Sequence, residues 1–299
     1  MTAGPESRVS GPTNNLRGIL WMLGSVAAFT IMGLVIKDIA SQVSLAMMVL
    51  FRQWVVLLIL VPWLLRAEAR EIRTERLGAH ALRALLALSS FACLAYAVGR
   101  LTLADAVALA YTNPLWSILV SVVFLGEPVR VRRWTATVVG FVGVICIIRP
   151  AGQIDPVMLV ALGSAVSASL SMMIVKKLTT TESPFQILFY FTLVGSLVSL
   201  GPGLYYWQTP SLGQFAWLVI IGVLAFFGQI CLSRAIALAE VTLVAPVDFL
   251  RLPFAAIFGL VLFAEVPDMW TLVGGTIIAV ASAYIVRREA VLRQPGEGG

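Results

Sequence analysis

Two charged residues lie near the middle of one of the most apolar stretches of the chain. Residues 246–254 read PVDFLRLPF, so Asp248 and Arg251 stand three positions apart inside the otherwise apolar stretch 241–263. An Asp and an Arg at positions i and i+3 of a helix can form a local ion pair. Alternatively, the planar guanidinium can bind the carboxylate of a ligand while Asp248 or an aromatic face receives its ammonium group. The spacing leaves both interpretations open.

The composition shows what surrounds these charges. The chain has 299 residues, of which 60% are hydrophobic and only 12% are charged, whereas soluble proteins carry about 25% charged residues. Crossing a bilayer takes about 20 apolar residues, and ten stretches are suitable. They are residues 18–36, 43–65, 81–99, 103–125, 134–148, 156–175, 185–206, 214–236, 241–263 and 268–286. The sequence therefore predicts an all-α integral membrane protein.

The basic residues predict the orientation of these spans. With the N-terminus inside, sixteen lysines and arginines fall in cytoplasmic segments, and only Lys37, Arg100 and Arg149 fall outside. Such a bias is typical of cytoplasmic segments. We therefore expect a multi-pass protein of the cytoplasmic (inner) membrane with both termini in the cytoplasm. The net charge of +6 then reflects topology and contact with anionic lipid, so no nucleic-acid partner is expected.

The chain contains an internal repeat. An offset of 139 residues sets GSVAAFTIMGLVIKDI (24–39) on GSAVSASLSMMIVKKL (163–178), and an offset of 138 sets CLAYA (93–97) on CLSRA (231–235). The second offset also pairs Glu127 with Glu265. Because each copy has five spans, an odd number, the second copy enters the membrane from the opposite side. Two inverted repeats can exchange inequivalent conformations and so open a central site to each side in turn.

These observations predict ten transmembrane helices arranged as two inverted five-helix repeats around a central cavity. The predicted units are a cytoplasmic N-terminal tail (1–17), the first repeat (18–148), a connecting loop (149–155), the second repeat (156–286) and a cytoplasmic C-terminal tail (287–299).

One motif resembles a known family. In ALAYTNPLWSILVSVVFLGEPV (108–129), Pro114 precedes Gly126-Glu127 by about one span, and LPFAAIFGLVLFAEVP (252–267) repeats the Pro and Glu with Ala264 in place of Gly. Together with the five-plus-five repeat, this resembles the EamA family of the drug/metabolite transporter superfamily. The resemblance implies an exporter of amino acids, aromatic ones included, or of other small metabolites.

A charge at the centre of a membrane helix costs about 2.5–3.5 kcal/mol, so such residues face a bundle interior or a cavity. Asp248 can also pair with Arg52 of the second span, which would pin that span to the ninth. The repeat places Asn113 at the position equivalent to Arg251. Deep aromatic residues are the other candidates to line a pocket, although for any one of them packing against lipid or the core is the more common role. The predicted substrate-binding residues are Trp21, Arg52, Tyr96, Tyr111, Asn113, Trp116, Asp248 and Arg251.

Three prolines lie within the fourth and ninth spans. Proline removes a helix hydrogen bond and can kink a helix. We therefore predict hinges or helix breaks at Pro114, Pro246 and Pro253, although ordinary kinked packing remains an alternative.

The functional prediction is a secondary transporter that exports small metabolites, amino acids first, by alternating access. Export of another organic metabolite or drug, a membrane-embedded enzyme and a channel are the alternatives. No phosphate-binding loop, nucleophile elbow or zinc motif is present, and the three cysteines lie in separate spans. We expect no catalytic residue, metal or cofactor. The expected partners are a small-molecule substrate and the bilayer, and both a monomer and proton coupling remain open.

Overall fold

The structure is a computed structural model that describes residues 15–65, 74–125, 131–149, 155–179, 181–239 and 241–293. Within these ranges all regular structure is helical. The helices are α1 (Asn15–Ile39), α2 (Leu45–Leu64), α3 (Leu77–Val98), α4 (Leu103–Ala110), α5 (Asn113–Leu125), α6 (Val131–Ile148), α7 (Pro156–Leu178), α8 (Pro184–Tyr205), α9 (Leu212–Leu238), α10 (Val241–Asp248), α11 (Arg251–Phe263) and α12 (Met269–Arg293). Glu127 lies outside the described residues.

The helices confirm an all-α membrane fold. In the described ranges nine segments are long and apolar enough to span a bilayer, with α4–α5 counted as one span and Pro246–Phe263 as another. A shorter apolar helix, Trp134–Ile148, is the tenth. The predicted spans agree with these helices to within a few residues at most ends. The last helix differs most, because it continues to Arg293, well past the predicted end at residue 286.

The fourth and ninth spans are each broken in the middle, at equivalent positions of the repeat. In the fourth span α4 ends at Ala110 and α5 begins at Asn113, while in the ninth α10 ends at Asp248 and α11 begins at Arg251. Pro114 follows the first break and Pro253 the second, where their missing N–H groups cost least. Pro246 instead lies inside α10. All three prolines therefore lie in the two interrupted spans.

Helices from the two halves interdigitate. The most extensive contacts pair α1 with α9, α3 with α7, α6 with α12 and α2 with α8, and each pair joins one half to the other. At the crossing of α6 and α12, a Cβ atom added at Gly143 would lie 2.7 Å from the backbone oxygen of Gly274. The reciprocal distance, from a Cβ at Gly274 to the Gly143 oxygen, is 2.5 Å. This contact needs small residues, as is common between membrane helices.

At the end of α11, alanine stands where the family motif has glycine. Ala264 has a φ of 53° and a ψ of 29°, in the left-handed region, and the Glu265 N–H donates to the Gly259 oxygen at 3.0 Å. Glycine is preferred at such a helix end because it has no Cβ to clash. Ala264 therefore has a backbone conformation that glycine adopts with less strain.

Gly143→Ala is expected to lower the free energy of unfolding by about 1–3 kcal/mol, because the new methyl group would meet backbone atoms that cannot rotate away. Thermal unfolding in detergent measures the change. Gly163→Ala is the matched control, since a Cβ at Gly163 meets no atom within 4 Å. Equal unfolding temperatures for the two variants would contradict the close contact.

Ala264→Gly is expected to raise the free energy of unfolding by about 0.5–1 kcal/mol. The relief of the left-handed conformation exceeds the entropy that glycine adds to the unfolded chain. Ala256→Gly, inside the same helix, should have the opposite sign because glycine weakens a helix interior. The same unfolding assay compares them, and destabilisation by both would show that Ala264 is unstrained.

Candidate functional site

The candidate site lies where the two broken helices meet. Asp248 is the last residue of α10 and Arg251 the first of α11, and the Arg251 Nη2 lies 2.6 Å from the Asp248 Oδ1. The Tyr111 hydroxyl donates to the backbone oxygen of Asp248 at 2.8 Å and lies 3.1 Å from its Oδ2. The Tyr111 and Phe249 rings, which are equivalent in the repeat, pack 5.2 Å apart. The break in one half thus rests on the break in the other.

The Arg251 guanidinium keeps unused donor capacity. Its Nη2 donates to the Ser25 Oγ at 3.2 Å, and its Cζ lies 4.5 Å from the centre of the Phe29 ring. Although Asp248 Oδ1 is close, the ion pair is not aligned as a hydrogen bond, and the buried Nε of Arg251 has no hydrogen-bond partner among the described residues. A carboxylate approaching this guanidinium would find a free donor.

A cavity of about 110 Å³ lies beside this cluster, between α1, α3, α4 and α11. Its lining is mostly apolar, with an arginine and a tyrosine as the main polar groups. The lining residues are Phe29, Thr30, Met32, Gly33, Ile36, Phe91, Leu94, Ala95, Val98, Leu103, Val107, Ala110, Tyr111, Arg251 and Ala255. Ligand pockets commonly measure roughly 300–1,000 Å³, so a substrate would need the helices to part.

Arg52 contacts Phe91, which lies on the wall of the same cavity. Its Nη1 donates to the Gln53 Oε1 at 2.6 Å, and its Cζ lies 4.3 Å from the centre of the Phe91 ring. Phe91 in turn lines the cavity. The partners of Arg52 are therefore Gln53 and Phe91, and Asp248 takes Arg251 as its cation, as in the first of the two ion pairs that the sequence left open.

The other predicted site residues lie elsewhere. Asn113 accepts a hydrogen bond from the Ser169 Oγ through its Oδ1, at 2.5 Å, and it does not line the cavity. Trp116 donates to the Thr112 Oγ1 at 3.2 Å. Of the eight predicted residues, the structure brings together Tyr111, Asp248 and Arg251.

Two of the predicted aromatic residues stack on arginines away from this cluster. The Trp21 ring centre lies 5.0 Å from the Arg234 Cζ, and the Tyr96 ring centre lies 3.7 Å from the Arg100 Cζ. Tyr96 and Arg100 belong to a second and larger cavity of about 820 Å³, between α2, α3 and α8. Its lining is also mainly apolar.

Sequence reasoning missed Ser25, Phe29 and Phe91. Ser25 had a signal, since the repeat pairs it with Ser164. The two phenylalanines had none, because an apolar ring in a membrane span is ordinary. Their position on the cavity wall depends on how the helices are rotated, which only the packing shows.

Discontinuous helices that meet between two inverted repeats, with a polar cluster at the break, are an architecture typical of membrane transporters. Within this class the chain belongs to the EamA-like transporter family, whose model matches residues 16–149 and 155–287. It is therefore a multi-pass membrane transporter of small molecules.

Curated relatives match almost the whole chain. An S-adenosylmethionine uptake transporter of Rickettsia prowazekii is 29% identical, with 92% of this chain and 94% of the relative covered. A riboflavin transporter of Vibrio cholerae is 31% identical with the same coverage. A pseudopaline exporter, CntI, of Pseudomonas aeruginosa is 29% identical, with 90% and 96% covered. The relatives thus include both an uptake protein and an exporter.

A solved crystal structure shares the fold. It superposes with a TM-score of 0.62 and 16% identity, covering 93% of this chain and 99% of the other. At this identity the similarity concerns the fold alone.

Tyr111→Phe is expected to lower the free energy of unfolding by about 1–3 kcal/mol, because it leaves oxygen atoms of Asp248 without their donor in a partly buried site. Thermal unfolding in detergent measures the change. Tyr284→Phe is the control, since Tyr284 is 43% exposed on α12. An equal, small shift for both variants would mean that the Tyr111 hydroxyl does not support the cluster.

Proposed function

We propose that this protein exports amino acids, neutral or aromatic, across the cytoplasmic membrane by alternating access. The observation that carries the proposal is the guanidinium of Arg251. It lies on the wall of a cavity, with Asp248 beside it and a free Nε donor.

The chemistry of the cluster suits both ends of an amino-acid head group. A carboxylate binds the fork of a guanidinium through two parallel hydrogen bonds. The Asp248 carboxylate then accepts the ammonium group, and the faces of Phe29 and Tyr111 add cation–π attraction. An apolar or aromatic side chain would lie against the phenylalanines and aliphatic residues that line the cavity.

The broken helices supply the movement in this proposal. The cavity of about 110 Å³ is smaller than the roughly 300–1,000 Å³ typical of ligand pockets, so in this proposal the helices around it part when substrate binds. Pro246 lies inside α10 and removes a backbone hydrogen bond, which makes this span easier to bend. Pro114 and Pro253 lie at the start of the helix that follows each break. The halves, residues 18–148 and 156–286, would exchange conformations, with both termini in the cytoplasm.

The relatives bear on the substrate. S-adenosylmethionine, which the name of the Rickettsia relative gives as its substrate, contains the same amino-acid head group, whereas riboflavin has no carboxylate. A second proposal, export of a larger organic metabolite, is favoured by the cavity of about 820 Å³. The transport assay must therefore compare amino acids, S-adenosylmethionine and riboflavin.

Arg251→Lys tests the carboxylate anchor, because lysine retains the charge and loses the fork. We expect normal folded yield and a fall of roughly 10–100-fold in kcat/KM for amino acids, the loss of a charged hydrogen bond worth about 1.5–3 kcal/mol. Counterflow of labelled amino acids into proteoliposomes is the measurement. Saturable counterflow separates a carrier from a channel, and chemical recovery of the unchanged substrate separates it from an enzyme.

Arg149→Lys is the matched control. Arg149 pairs with Asp268 at the end of the bundle, where each side chain is somewhat less than half exposed, and the Arg149 hydrogen bond lowers the pKa of the Asp268 carboxyl. Transport should not change. If Arg251→Lys transports amino acids with the same kinetics, the pair with Asp248 is structural only. If riboflavin alone is transported, the second proposal replaces the first.

A further inference from the structure

A second, largely buried ion pair joins the two halves at one end of the cavity. Lys37, near the end of α1, lies with its Nζ 2.5 Å from the Oε1 of Glu265, which follows α11. The two side chains are only 11% and 19% exposed. The Lys37 Nζ also donates to the backbone oxygens of Val98, at 3.2 Å, and Leu101, at 2.7 Å. Its three protons therefore all have acceptors.

The glutamate is held as firmly as the lysine. Its Oε2 accepts a hydrogen bond from the backbone N–H of Leu103, at 2.8 Å. Leu103 is the first residue of α4, where helix N–H groups otherwise lack partners, so the carboxylate caps the start of this helix. The left-handed turn at Ala264 directs this carboxylate back over α11, where Gly259 leaves room for it. Glu265 thus connects α11 of the second half to α4 and α1 of the first.

This arrangement closes one end of the cavity. Val98 and Leu103, whose backbone groups hold the ion pair, also line the cavity. The helix contact at this end, between α4 and α11, has no equally extensive counterpart between α5 and α10 in the described part of the chain. The Lys37–Glu265 pair thus joins the two halves at the end of the bundle that the distribution of basic residues predicts to be the outside.

We propose that the Lys37–Glu265 pair is a latch that holds the outer end of the cavity closed and separates whenever that end opens. The inference depends on transport by alternating access, as proposed above. Both residues act through the position of α11 and have no contact with substrate.

The physical chemistry allows such a latch to be reversible. A buried pair gains strong attraction, but that gain is largely offset by the loss of hydration of both charges. When the outer end opens, water reaches the ammonium and the carboxylate and compensates for most of the lost contact. The net cost of opening is then small enough for a transport cycle, whereas loss of one partner alone changes the balance between the states.

The test measures accessibility of the cavity from each side. A single thiol is introduced by Ala110→Cys, at a cavity-lining position, in a chain whose three native cysteines are replaced by alanine. A membrane-impermeant maleimide is applied to intact cells and to inside-out vesicles. Lys37→Met should speed alkylation from the outside by about tenfold, the shift that a change of ~1.4 kcal/mol between states produces. Alkylation from inside should not rise.

Two further variants separate a latch from general support of the fold. Lys37→Arg can still donate to the glutamate and to both backbone oxygens, so it should retain slow alkylation from outside. Asp268→Asn breaks another ion pair at this end, with Arg149, beside the fixed contact of α6 and α12, and it should change nothing. A variant that only weakened the fold would speed alkylation from both sides and lower the unfolding temperature.

Unchanged outside alkylation in Lys37→Met, with Ala110→Cys still reactive from inside, would overturn the latch. Faster alkylation from inside alone would do the same, since it would place the closed end on the other side. The assay uses no substrate, so it stands or fails independently of which compound is transported.

Discussion

The structure depends on the need to compensate charge inside a membrane. Asp248 and Arg251 lie deep within the ninth span, where an isolated charge would cost about 2.5–3.5 kcal/mol or more. The helix is interrupted between them, and the two side chains pair across this break. Tyr111 and Ser25, from the other half, provide further polar contacts. The polar cluster is therefore also a contact between the two halves.

The inverted repeat makes the scaffold symmetric and leaves the chemistry asymmetric. Tyr111 and Phe249 are equivalent and pack on each other, and Arg251 and Asn113 are equivalent and contact serines on α1 and α7, the first helices of opposite halves. Yet only one of these positions carries a charge. A symmetric scaffold can thus hold a charged site on one side of its axis.

The sequence predicted the helices well and their rotations poorly. The length of a span depends on the thickness of the bilayer, so composition alone predicts the spans. The pair of Asp248 with Arg251 followed from a local spacing. Depth in a span, however, does not determine which neighbour a side chain faces, and Arg52 and Asn113 lie at suitable depths while bonding to Gln53 and Ser169. The contact of Lys37 with Glu265 joins residues 228 positions apart, and no local pattern indicates it.

The two interpretations of the buried pair are compatible for a carrier. Without substrate, Asp248 and Arg251 compensate each other's charge. A zwitterion brings one charge of each sign, so it can engage both side chains and leave the site neutral. A simple carboxylate would leave Asp248 without its cation, and a simple amine would leave Arg251 without its anion, each at the cost of an uncompensated buried charge. If the site binds amino acids as proposed, discrimination in favour of zwitterions would arise from the same cost of an uncompensated charge that keeps Asp248 and Arg251 paired in the empty site.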